Sequence, residues 1–132
     1  MNSLSLEDMF ESQMLHQEND ADCGLEVFRA LLNLPRAEIV ADIPGIDMRE
    51  TSADDWIAYA ETKGKRLKIY QPGEGYPLPC AHLVGVQPHA HWIYQAVDGG
   101  IHDPSPAFRH TPPKMITLAH YPPRVLTVAA ET

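Results

Sequence analysis

The order of hydrophobic patterns predicts an α+β fold, with helices in the first half and an antiparallel sheet in the second. Apolar residues recur at helical spacing from Cys23 to Leu34 and again around Trp56, whereas from Arg66 onward they alternate in twos. Gly and Pro punctuate the second half at short intervals, and Asp98-Gly99-Gly100 has the composition of a hairpin turn. Helices grouped before strands, rather than alternating with them, make the α+β pattern.

Residues 1–14 read as a lead-in, with Leu4, Leu6, Met9 and Phe10 scattered among acids. A polar run, Gln17 to Asp22, then supplies helix-capping residues, with Asp20 or Asp22 placed to cap the first helix. In that helix Leu25, Phe28, Leu31 and Leu32 form one apolar face, and Pro35 ends it. A short helix is expected at Arg36–Ala41, followed by a turn at Pro44-Gly45. Ser52 and Asp55 have capping-box spacing and open a second long helix, which buries Trp56, Ile57, Tyr59 and Ala60 and stops at Gly64. Strands are expected at Arg66–Tyr70, Ala81–Val86, His91–Val97 and Ile101–Asp103, with Pro104 ending the last of these. Two further strands are expected at Met115–Ala119 and Val125–Val128, separated by Tyr121-Pro122-Pro123.

A chain of 132 residues, 44% apolar and 21% charged, suits a single domain over residues 1–132 and excludes wholesale disorder. Its formal net charge of -8 repels polyanions, so nucleic acid is not the expected partner. The basic run Lys63, Lys65, Arg66, Lys68 reads as a solvated helix end. No apolar stretch reaches the roughly 20 residues that span a bilayer, so no membrane segment is expected. The first seventeen residues contain acids but no Lys or Arg, unlike a signal peptide, and the expected location is cytoplasmic. Cys23 and Cys80 form no C-x-x-C pair and are expected to be free thiols.

Cys23 opens a helix, where the N-terminal dipole favours a thiolate, and Gly24 beside it leaves room for a substrate backbone. Taken alone, a Cys in this position is more often a packed core residue. A nucleophile also needs a base, a group to orient that base, and an oxyanion donor. His91 opens a strand, and Asp103 lies in the next strand after a tight turn, so an antiparallel hairpin sets them side by side. Gln17 precedes Cys23 by six residues on the expected loop entering the helix, and its amide is the candidate donor to an oxyanion beside the thiol.

The set Gln17, five residues, Cys23-Gly24, then Pro79-Cys80-Ala81-His82-Leu83, His91-Trp92-Ile93-Tyr94 and His102-Asp103-Pro104 resembles the bacteriocin-processing, double-glycine peptidase family. That family is a compact branch of the papain-like cysteine peptidases. The resemblance spans roughly residues 15–106. It implies a papain-like fold, with Cys23 as nucleophile, His91 as general base, Asp103 as the residue orienting His91, and Gln17 completing an oxyanion hole with the Cys23 backbone N–H. The chemistry implied is acyl transfer through a thioester on a protein or peptide substrate, cleaving a peptide or isopeptide bond without a cofactor. Members of the family usually precede a membrane transporter, which these residues do not encode, so a double-glycine leader is not the implied substrate.

Two other functions fit the same residues. The same thiol chemistry deamidates or transglutaminates side-chain amides, and a catalytically silent papain-like module serves as a binding or inhibitor domain. His82 and His102 are alternative bases, although His102 neighbours Asp103 and therefore faces the other side of the sheet. His89 and His91 share a strand face with Cys80 nearby, but no ordinary zinc spacing is met and no metal is expected. Trp56, Trp92, Tyr59, Tyr70 and Tyr94 read as core aromatics before peptide-groove residues. The sequence carries no signal for the oligomeric state.

Overall fold

The computed structural model describes residues 22–86, 89–105, 115–121 and 124–131. Among them three α-helices precede a five-stranded antiparallel sheet, an α+β arrangement. The helices are α1 (Cys23–Leu32), α2 (Arg36–Asp42) and α3 (Ala53–Thr62). The strands are β1 (Leu67–Tyr70), β2 (Cys80–Val86), β3 (His89–Gln95), β4 (Ile101–His102) and β5 (Arg124–Ala130), in the spatial order β1-β5-β2-β3-β4. The last strand is therefore internal, lying between β1 and β2, which accounts for the apolar run Val128-Ala129 being buried.

The apolar face of α1 packs on the sheet through Leu25, Phe28 and Leu32, all essentially solvent-free. Phe28 stacks on Trp56 of α3 at 4.9 Å and meets Trp92 of β3 edge-on at 4.9 Å. These two ring contacts join both long helices to β3, and they make the two tryptophans core residues. Gly24 is required at this junction. A Cβ on it would stand 2.1 Å from Thr51 Oγ1, with Trp92 and Trp56 atoms at 3.2 and 3.3 Å. Thr51 occupies that space because it serves both indoles: its hydroxyl accepts from Trp56 Nε1 at 2.7 Å and its carbonyl from Trp92 Nε1 at 3.2 Å. The capping box at α3 is present, with Asp55 N donating to Ser52 Oγ and Ser52 N donating to Asp55 Oδ2.

Several sequence expectations need correction. α1 ends at Leu32, because Asn33 adopts the left-handed conformation (φ 55°) and closes the helix with backbone bonds to Ala30 and Arg29 carbonyls. Asp22 occupies the N-cap position but its side chain does not cap; its carboxylate instead takes Arg36 Nη2 at 3.0 Å, and an ion pair outweighs a cap. Asp20 lies outside the described residues, as does the 1–14 lead-in. Met115–Ala119 is not a strand. Its alternation of Ile116 and Leu118 is met by laying the segment across the outer face of the sheet, where Ile116 packs with Val84, Ile93 and Ile101. Its end, from Leu118, is part of a 3-10 helix, Leu118–His120. No helix among the described residues is long and apolar enough to cross a membrane.

Candidate active site

β2 and β3 pair in register, setting His91 opposite Val84. After β3 the chain reverses at Asp98-Gly99-Gly100. Gly99 takes a left-handed φ of 88°, Asp98 Oδ1 accepts from Gly100 N at 2.8 Å, and Ala96 N donates to the Gly100 carbonyl at 2.9 Å. That turn pairs Tyr94 with His102, which puts Asp103 on the same side of the ribbon as His91 and diagonal to it. The result is a hydrogen bond of 2.8 Å from His91 Nε2 to Asp103 Oδ1. Asp103 is only 5% exposed. Its carboxylate also accepts from Ser105 N at 2.8 Å on Oδ1 and from the Tyr121 hydroxyl at 2.7 Å on Oδ2.

Cys23, the first residue of α1 and 8% exposed, neighbours His91 closely enough to act on its imidazole. Asp103 occupies Nε2, so Nδ1 is the ring nitrogen left for the thiol. Burial opposes a charge on His91, but the hydrogen bonds to Asp103 and Cys23, together with the negative charge of these partners, outweigh it and raise the imidazole to about 9. Burial pushes the Asp103 carboxyl up, and the His91 contact with the Ser105 and Tyr121 donors overcomes this and holds it below the usual carboxylate range. At neutral pH the pair is therefore imidazolium and carboxylate.

The other two candidate bases lie elsewhere. His82 is fully buried between Thr127 Oγ1 (2.8 Å from Nδ1) and Gln95 Oε1 (2.9 Å from Nε2), and Cys80 Sγ is 3.3 Å from Nε2. Gln95 Nε2 donates to the Gly99 carbonyl, which fixes Oε1 as the acceptor facing His82. Burial depresses His82 and raises the Cys80 thiol to about 12, so this pair is neutral and inert. His102 packs on Tyr94 at 5.6 Å and borders a cavity of about 730 Å³ between the C-terminal half of α1 and the β3–β4 hairpin; burial lowers it too. Of these three histidines, only His91 is held charged. Among the described residues no group of three or more His, Cys, Asp or Glu is placed to hold a metal ion.

Gln17 lies outside the described residues. Two features of the site were not legible beforehand. Tyr121 reaches Asp103 from eighteen residues away, and no spacing rule links the two. Beside Cys23, Asp22 and Glu26 are buried (0% and 3% exposed) and share Arg36, which contacts them at 3.0 and 2.7 Å, while Arg29 adds a second contact to Glu26 at 2.9 Å. The basic residues Arg29 and Arg36 at i+3 and i+10 from Glu26 were the available signal. No protein-family model matches the chain, and no curated protein matches it in sequence.

Proposed function

We propose that this protein is a papain-like cysteine hydrolase, similar to the bacteriocin-processing double-glycine peptidases, that cleaves a peptide or isopeptide bond through a thioester. The observation that carries the reading is a single one: a thiol at a helix N-terminus within reach of a histidine whose other nitrogen is held by a buried carboxylate. This is the nucleophile, base and orienting group required for acyl transfer. Cys23 sulfur attacks the carbonyl carbon as a thiolate, with its proton on His91. Charge gathers on the carbonyl oxygen, for which the Cys23 backbone N–H and the Gln17 amide are the proposed donors. The C–N bond breaks as His91 hands its proton to the departing amine, leaving a thioester. Water then attacks the thioester carbon and gives a proton to His91. The C–S bond breaks, releasing the acid and restoring the thiolate–imidazolium pair. Asp103 keeps Nδ1 aimed at the sulfur throughout.

The test is incubation with a pooled library of peptides and isopeptide-linked lysine conjugates, read by mass spectrometry. Cleavage is expected from the wild type and is expected to fall by about a thousandfold or more in Cys23→Ser and His91→Ala. A mass change of one unit at Gln side chains without cleavage identifies the deamidase alternative. Cleavage that survives in Cys23→Ser removes Cys23 from the mechanism. If the wild type forms no product and Cys23 is alkylated no faster than the buried Cys80, the chain is a silent module instead.

A further inference from the structure

We infer that Tyr121 is a positioning residue of this site, which locks the Asp103 carboxylate in the orientation that serves His91. The inference rests on the reading of Cys23 and His91 as nucleophile and base. It starts from the occupancy of the carboxylate. Oδ1 takes two donors, His91 Nε2 and Ser105 N, both at 2.8 Å. Both of these donors hold the group by one side, and a turn about the Cβ–Cγ bond is resisted there alone. Tyr121 adds a hold on the opposite side by donating to the other oxygen, Oδ2, at 2.7 Å, and it is the one donor to Oδ2 among the described residues.

The phenol is itself delivered by a built element. Tyr121 N donates to the Leu118 carbonyl at 3.2 Å, closing the 3-10 turn Leu118–His120. Leu118 and Tyr121 pack with Ile116 against Val84, Ile93 and Ile101, so the segment is pinned to the outer face of the strand that carries His91 and the one that leads into Asp103. The groups facing Asp103 from the packed elements are His91 on β3, Ser105 beyond β4 and Tyr121 on this strap. Tyr121 is half-buried, so its hydroxyl gains from a partner, and a buried carboxylate oxygen with no donor would lose more. Both are met in one bond, and burial and the neighbouring carboxylate push the phenol well above its usual range, so it stays a donor at all working pH values.

The experiment is Tyr121→Phe in the full chain, with the imidazole signals of His91 and the carboxyl carbon of Asp103 titrated by NMR from pH 3 to 11. Phe keeps the ring against Ile116, and the near-ultraviolet circular dichroism of Trp56 and Trp92 checks that the core is intact. With Oδ2 bare, the carboxylate loses a charge-assisted donor, and its midpoint is expected to rise by about one pH unit. With Oδ1 no longer held on Nε2, His91 is expected to fall from about 9 toward its ordinary 6.5. Unchanged midpoints for both groups overturn the inference, as does a His91 midpoint that rises, because that result means Tyr121 weakens the pair electronically instead of placing it. These readouts need no substrate. If Cys23 proves not to be a nucleophile, the library experiment fails while the NMR titration still reports on Tyr121. If the library experiment succeeds and Tyr121→Phe leaves both midpoints in place, only the role of Tyr121 is lost.

Discussion

Replacing Asp103 with Asn tests the electrostatic logic of the site through stability alone. In the folded protein His91 titrates near 9, against 6.5 when unfolded. A shift of that size corresponds to about 3 kcal/mol of preference for the charged imidazole. The side chain is only 21% exposed, so solvent screens little of it. Because the folded value is the raised one, this contribution is complete below pH 6.5 and is lost as pH rises through 9. Asp103→Asn removes the charge that does most to hold the proton. Cys23 also raises His91 and stays in the variant, so the stability gap between wild type and variant is expected to be largest near pH 6.5 and to shrink by pH 10 by an amount on the order of that 3 kcal/mol. Urea unfolding followed by the fluorescence of the buried Trp56 and Trp92, at half-unit pH steps, measures it. The gap does not close completely, since Ser105 N and the Tyr121 hydroxyl also lose their carboxylate partner. Cys80, raised to about 12, erodes stability in alkali in both proteins and cancels in the difference, while His82 and His102, both lowered, act below the window. A gap that stays constant from pH 6.5 to 10 refutes the charged pair.

Peptide or isopeptide cleavage needs a protonated His91 at the step that expels the amine, so kcat/KM is expected to fall above pH 9, and in Asp103→Asn the fall is expected at lower pH. A pH–rate profile on any cleaved library member checks this. Gly24→Ala drives a methyl into Thr51 Oγ1 and is expected to cost about 1–3 kcal/mol in urea unfolding. Combined with Thr51→Ala, it is expected to cost less than the sum of the single changes, because the second substitution clears the space. Arg36→Ala withdraws a guanidinium from two buried carboxylates and is expected to cost about 3 kcal/mol, measured the same way.

What the sequence made legible was whatever depends on short range. The helical and strand periods located α1, α3, β1, β2 and β3 because each buries a face against a neighbour, and periodicity reports burial. Gly99 and Asp98 announced the hairpin because only a few residues accept that turn, and the hairpin in turn places Asp103 by His91. Legibility stopped where the decision is made at long range. Met115–Ala119 alternates like a strand, yet its apolar side chains are satisfied by packing across the sheet, and alternation cannot distinguish that from pairing at an edge. Nothing local to β5 says that it enters the middle of the sheet. Asp22 has the residue type of a cap, but an arginine fourteen positions away outbids the helix's own N–H groups for its carboxylate.

That diversion of Asp22 matters for the chemistry. A helix N-terminus helps an anion at Cys23, but here two carboxylates, Asp22 and Glu26, are buried in the same turn. Left alone, they would oppose a second negative charge on the neighbouring sulfur. Arg36 bridges both, and Arg29 takes Glu26 through two nitrogens, at 3.0 and 2.9 Å. Among the described residues two guanidinium groups thus face the two carboxylates beside the thiol, next to the helix N-terminus and the His91 imidazolium. The arrangement also explains why α2 follows α1 after only three residues, Asn33 to Pro35: Arg36 must open α2 for its guanidinium to reach back to the first turn of α1. On this argument Arg36→Ala weakens the site as well as the fold. Arg36→Lys, which keeps the charge but cannot fork between two carboxylates, is expected to recover only part of the stability and of the Cys23 alkylation rate. Full recovery by Lys of both would show that charge alone, without the bridge, is sufficient.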